Sequence, residues 1–210
     1  MHQQGHAVPD HATLKSPTPP HAELILASAS VYRQQLLARL GVAFAVDPAN
    51  IDEQQRPDED AVALAQRLAE EKSAEVQRRH PQAIVIGSDQ VAECQGQILG
   101  KPGTASAARA QLTLISGQRV SFYTAVCVRH NDSSQCFVDT THVHMRELSA
   151  AEIDRYLALE SPLDCAGAIK SEGAGIALMA GMETSDPTAL IGLPLIELAA
   201  QLRRCGLTLP

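Results

Sequence analysis

The chain has no tryptophan, and only three tyrosines and three phenylalanines among its 210 residues. Its core must therefore be built from Leu, Ile, Val and Ala, and a ring in a polar context such as Tyr32 stands out. A basic excess is also missing. The net charge is −7 at pH 7, which argues against a general nucleic-acid binder, since that needs a basic surface. A small anionic ligand stays allowed, because a local cluster of Lys and Arg suffices for it. The five cysteines, at positions 94, 127, 136, 165 and 205, include no CxxC spacing. They are expected to be reduced residues of a cytoplasmic protein rather than a disulfide framework. No apolar run reaches membrane-spanning length, and the N-terminal residues carry no apolar signal stretch. The phosphate-loop pattern GxxxxGK[ST] and the GxSxG elbow are absent as well.

What is present begins after a polar stretch. Residues 1–20, MHQQGHAVPDHATLKSPTPP, have no apolar period and are expected to be a disordered extension, with residues 21–210 forming one domain. His2, His6 and His11 fit a solvated tail better than a metal site. ELILAS then reads as a short apolar strand, followed by a helix over 31–40 that Gly41 closes. An irregular acidic segment, residues 47–60, precedes a long helix over 59–79. AIVIG is a second buried strand, and VAECQGQILGKP is a hairpin turning at Gln95-Gly96. A helix over 104–115, two long antiparallel strands joined by NDSS, and a capping box at SAAE come next. A Gly-rich stretch and a last helix complete the chain. Strands alternate with helices early and pair as hairpins late, which predicts an α/β fold with a mixed sheet.

The chemistry gathers at a few irregular positions. Ser28 and Ser30 stand where a strand hands over to a helix, and free amides at such a junction form an anion site. Arg33 shares a helical face with Leu36, Leu37 and Leu40, in a first turn whose dipole disfavours a cation. Either an anionic ligand or a carboxylate partner could account for it. Lys72 falls in the middle of the apolar stripe Ala61, Ala65, Leu68, Ala69 and Val76. It either meets a buried counter-charge or snorkels at the stripe's edge. Asp89 follows a fully apolar strand, and is expected at its carboxyl end, where open α/β sheets bind their ligands. Lys101 stands in GKP after the next hairpin, and the acidic segment contributes Asp52 and Glu53. Carboxylates can hold Mg²⁺ or Mn²⁺ while cations neutralise phosphate oxygens, so the set suggests phosphoryl chemistry. His142 and His144 lie on one strand face without a third ligand and fit a surface strand. Cys165 fits a small buried residue better than a reactive thiol.

The blocks LILASASVYRQQLL, NIDE, LAEEKS, IGSDQV, ILGKP, ISGQRVSFYTAV, LSAAEIDRYL, CAGAIKSEGAGI and DPTALIGLPL occur in one order over residues 23–207. With them the chain resembles the Maf family of nucleotide pyrophosphatases. The resemblance implies a long mixed sheet with flanking helices, and two lobes around a central cleft. It also implies metal-dependent cleavage of a nucleoside triphosphate to the monophosphate and pyrophosphate, and leaves a homodimer open. Carried over position by position, Asp89 is the catalytic acid and, with Glu53, associates with the metal. Ser28, Ser30, Arg33, Lys72 and Lys101 contact phosphate. A family branch acting on dTTP and UTP has arginine, threonine and glutamine where this chain has Tyr32, Gln90 and Glu172. The latter three resemble the branch acting on 7-methyl-GTP, although close relatives carry tryptophan at the position of Tyr32. The base chemistry agrees: methylation at N7 makes guanine cationic and favours an aromatic face. A carboxylate such as Glu172 can accept from guanine N1–H and its 2-amino group. A UTP or dTTP pyrophosphatase, or a nucleotide-binding regulator of cell division without catalysis, are the alternatives.

Overall fold

The computed structural model describes residues 22–210, so the extension expected at 1–20 lies outside the described residues. Seven strands form one mixed sheet: β1 (Leu24–Leu26), β2 (Ala45–Val46), β3 (Ile84–Cys94), β4 (Gln97–Leu99), β5 (Arg119–His130), β6 (Ser133–Met145) and β7 (Met179–Glu183). Five α-helices flank it: α1 (Val31–Ala38), α2 (Ala61–Arg79), α3 (Ala105–Ile115), α4 (Ala150–Leu159) and α5 (Leu195–Arg204). Strand order is β2-β1-β3-β5-β6-β7, with β4 added to β3. The β1–β2 and β1–β3 pairs are parallel and all others antiparallel. The expected mixed α/β sheet is therefore observed.

Local chemistry sets most element boundaries. Ser30, Asp60, Thr104 and Ser149 each accept the backbone N–H three residues on and so begin α1, α2, α3 and α4. Ser149 and Glu152 complete the expected capping box. The β3–β4 hairpin turns at Gln95 and Gly96, both at positive φ, as a two-residue turn of the strand-twisting kind requires.

Two expectations are corrected by the strands. Asp89 is not at the end of its strand; β3 continues through Cys94, because β5 pairs with it from Val85 to Glu93 and β4 folds back onto its last residues. What ends near Asp89 is the parallel part, since β1 pairs only with Ile84–Ile86. On that side β4 takes over only at Ala92, so residues 87–91 keep an open edge. The cysteines are not all reduced either: Cys127 and Cys136 form a disulfide across β5 and β6, while Cys94, Cys165 and Cys205 are free. The link between these strands is shorter than NDSS, with His130 paired to Ser133, and that register puts the two cysteines opposite each other.

The apolar core divides along the β3–β5 axis. One cluster joins β1, α1, α5 and the first half of β3 through Leu26, Leu36, Leu37, Ile86 and Leu198. Another joins the far end of β3 and β5 to α3 and α4 through Ala92, Leu112, Phe122 and Tyr156. The open edge of β3 lies between them. α2 packs across β3 and β5 as a third cluster, and Gly87 permits its close approach. A Cβ there would collide with the Ala69 carbonyl oxygen and stand 2.6 Å from the Ser73 nitrogen.

Candidate active site

A cavity of about 810 Å³ occupies the gap between the two end clusters, and the ten residues that the family resemblance assigns to a site all line it. One wall is the β1–α1 turn with Ser28, Ser30, Tyr32 and Arg33; the floor is the open edge of β3 with Asp89 and Gln90. Glu53 enters from the acidic segment and Lys72 from α2, while Lys101 and Glu172, both exposed, come from the segments after β4 and after α4.

Lys72 is the hub. Its Nζ donates to Asp89 Oδ1 at 2.7 Å and stands 2.7 Å from Glu53 Oε1, with only 8% of its side chain exposed. It does not snorkel; a buried ammonium is tolerable because two carboxylates meet it. Burial pushes the Glu53 carboxyl up, but the hydrogen-bonded Lys72, with Lys101 and Arg33 beyond it, holds the group below the usual carboxylate range. An ammonium has three N–H donors. Two face carboxylates, which leaves one for a further acceptor in the cavity.

Arg33 resolves differently from Lys72. No carboxylate comes within ion-pair distance of it among the described residues. Its Nε donates to the Gly192 carbonyl at 2.9 Å and its Nη1 to Ser28 Oγ at 3.2 Å. Burial lowers its pKa, opposed by the more distant Asp89 and Glu53. A cation so placed would gain most from an anion brought by a ligand. Ser28 is buried and also accepts the Ser30 N–H at 3.2 Å, while Ser30 caps α1 as expected.

Tyr32, Cys165, Asp164 and Glu172 also share the cavity lining. Burial, then the thiol of Cys165 and the charges of Asp164 and Glu172, push the Tyr32 phenol up. Burial and the same two carboxylates push the Cys165 thiol up to about 12, so it is not the reactive thiolate of a nucleophile. Gln90 is partly spent on structure. Its Nε2 donates to Ala189 O at 2.9 Å, Leu190 O at 3.0 Å and Thr124 Oγ1 at 3.0 Å. Its carbonyl oxygen accepts no hydrogen bond among the described residues and remains for a ligand.

The segment 186–193 carried the family resemblance in the sequence, but its place in the site was missed. Ser88, fully buried, donates to Gly192 O, and Thr124 Oγ1 donates to Ala189 O at 2.9 Å. The segment is closed on itself by Asp186, whose carboxylate accepts from Thr188 and from Ile196 N in the first turn of α5. The one signal was the run DPT, an acid and a hydroxyl in an otherwise apolar block. Asp52 does not join the cavity; it caps Gln54 N. His142 and His144 stand apart as well, bonded to Ser121 and Glu183.

The family described as Maf-like protein matches residues 23–205. A 7-methyl-GTP pyrophosphatase of Xanthomonas axonopodis pv. citri (strain 306) is 53% identical over 187 residues, 89% of this chain and 98% of that protein. Another so named, from Pseudomonas syringae pv. tomato (strain ATCC BAA-871 / DC3000), is 48% identical over 189 residues with the same coverage. Among solved structures, the Staphylococcus aureus Ham1 protein matches 60% of this chain and 72% of its own at 14% identity and a TM-score of 0.44, too slight a likeness to argue from. The chain belongs to the Maf family.

Proposed function

We propose that this Maf-family chain is a nucleoside triphosphate pyrophosphatase that cleaves 7-methyl-GTP to the monophosphate and pyrophosphate with a divalent metal ion. The observation that carries the reading is the convergence of Asp89 and Glu53 on Lys72, in a cavity whose adjoining wall offers Ser28, Ser30 and Arg33. The relatives named for this activity match nearly their whole length to the chain.

The carboxylates fit a hard cation. Two carboxylate side chains that meet on one ammonium are the kind of donor pair Mg²⁺ or Mn²⁺ takes together with substrate phosphates and water. No group of three or more His, Cys, Asp or Glu suited to a metal occurs among the described residues, so substrate and water would complete the shell. Glu53 and Asp89 would hold the ion, which supplies charge neutralisation on the phosphates.

The chain's own residues do the rest. Asp89, hydrogen-bonded to Lys72, takes the proton of the attacking water. Lys72 gives its third N–H, Arg33 its free Nη2 and Lys101 its ammonium to phosphate oxygens, spreading the charge that grows on them. The first-turn amides of α1 add to this field. Tyr32 offers its ring to the cationic base, Glu172 accepts from the guanine edge, and Gln90 contributes its free carbonyl oxygen.

Pyrophosphate release from 7-methyl-GTP, GTP, UTP and dTTP with Mn²⁺ tests it, using wild type and Asp89→Asn. The wild type should release pyrophosphate, and Asp89→Asn should lose about 100- to 10,000-fold, the usual worth of a general base. Release by neither protein would leave only a nucleotide-binding regulator.

A further inference from the structure

The two carboxylates on Lys72 are held in place by different means. Asp89 is fixed in a strand whose ladder with β5 runs from Val85 to Glu93. Glu53 has no such support, since no helix or strand forms between Val46 and Ala61 and half its side chain is exposed. A carboxylate on an irregular segment keeps one position only if something else fixes its backbone.

Arg67 of α2 fixes it. Its Nη2 donates to the Gln54 carbonyl at 2.9 Å, on the residue directly after Glu53. The same guanidinium grips Glu59 with two prongs, Nε to Oε1 at 2.6 Å and Nη2 to Oε2 at 2.9 Å, and reaches Glu71 through Nη1 at 3.2 Å. Glu59 in turn accepts the Arg56 N–H at 3.0 Å, and its own carbonyl accepts from Gln55 Nε2 at 2.6 Å. Residues 54–59 are thus folded around one guanidinium that is only 12% exposed. The planar fork suits this role, because it grips a carboxylate side-on with two parallel N–H groups and still reaches a carbonyl in a fixed geometry. Five residues along the same helix, Lys72 takes the other end of Glu53. One helix therefore holds Glu53 twice, by the neighbouring peptide and by the carboxylate.

We propose that Arg67 is a positioning residue that fixes the backbone beside Glu53, so that the Glu53 carboxylate converges with Asp89 on a single cation. The inference rests on the pyrophosphatase reading for the use made of Glu53, and on the hydrogen bonds alone for the clamp.

The test is a double-mutant cycle of Arg67→Lys and Glu53→Gln, read by Mn²⁺ binding to the protein alone in electron paramagnetic resonance, by pyrophosphate release and by thermal melting. Arg67→Lys should weaken Mn²⁺ binding by about 10- to 100-fold, the range typical of groups that orient a metal's ligands. At saturating Mn²⁺ the KM for nucleotide should barely move. In the Glu53→Gln background Arg67→Lys should change neither Mn²⁺ binding nor pyrophosphate release further. Multiplicative effects of the two changes, unchanged Mn²⁺ binding in Arg67→Lys, or no Mn²⁺ bound by the wild type would each overturn the proposal. If Arg67→Lys does not fold, Glu59→Gln, which leaves Arg67 in place and loosens its anchor, passes through the same cycle. A wild type that binds Mn²⁺ but releases no pyrophosphate would overturn the pyrophosphatase reading only, and the Mn²⁺ titrations would still decide on Arg67.

Discussion

Lys72 is a buried ammonium with two carboxylates on it, and each of the three depends on the others. Desolvating any one of them alone would cost several kcal/mol. Together they are tolerated, and the cost is offset by short charge-assisted hydrogen bonds. Lys72→Met keeps an apolar stem of similar length but takes from Asp89 and Glu53 the cation in direct contact with both. We expect a fall of about 100- to 1,000-fold in kcat, as when one donor to a charged transition state is removed, with the fold retained by circular dichroism. Retention of full activity would mean that the buried cation serves stability alone. Sequence made Lys72 conspicuous, because a lysine in an apolar stripe breaks a local pattern. Its partners were not legible, because pairing between residues 17 apart depends on how α2 lies on β3.

At the scale of elements, that packing turns on Gly87. A methyl group there would meet the backbone of α2 at Ala69 and Ser73, next to Lys72, and backbone cannot swing aside as a side chain can. Gly87→Ala should cost about 1–3 kcal/mol through overpacking, seen as a lower Tm. It should also lower activity more than the loss of folded protein explains, since α2 carries Lys72. The acidic segment supplies a second prediction at this scale. Arg67 bonded to Glu59, with the Arg56 N–H, holds the Glu59 carboxyl down to about 2. A depressed carboxylate stabilises the fold above its ordinary pKa of 4.5, and that contribution disappears as pH falls toward about 2. Wild type should therefore melt above Glu59→Gln at neutral pH, with the gap closing between these two values; a gap independent of pH would rule the ion pair out as its source. Most elements were legible because they announce themselves locally, through caps such as Ser149 and turn residues such as Gln95-Gly96. The Cys127–Cys136 pair was not, since it follows from a turn two residues long where NDSS suggests four. Two extra turn residues would move Cys136 out of register with Cys127. The length of β3 was hidden for a like reason, because β4 and β5, not its own residues, extend it past Asp89.

Taken as a whole, the molecule is acidic, with a net charge of −7, yet its cavity gathers Arg33, Lys72 and Lys101 around two carboxylates. The same cavity also brings Tyr32, Asp164 and Glu172 together, a ring and two acids. Such a cavity suits a ligand whose phosphates are anionic and whose base carries a positive charge. The ten residues that the family resemblance assigns reach it from both sides because β3 keeps an open edge between two partial neighbours, β1 and β4. The most direct test is the ratio of kcat/KM for 7-methyl-GTP to that for UTP, measured with Mn²⁺ in wild type and in Glu172→Gln. The ratio should exceed one in the wild type and fall toward one in Glu172→Gln, with UTP turnover little changed. A wild type that prefers UTP, or a ratio indifferent to Glu172, would contradict the account.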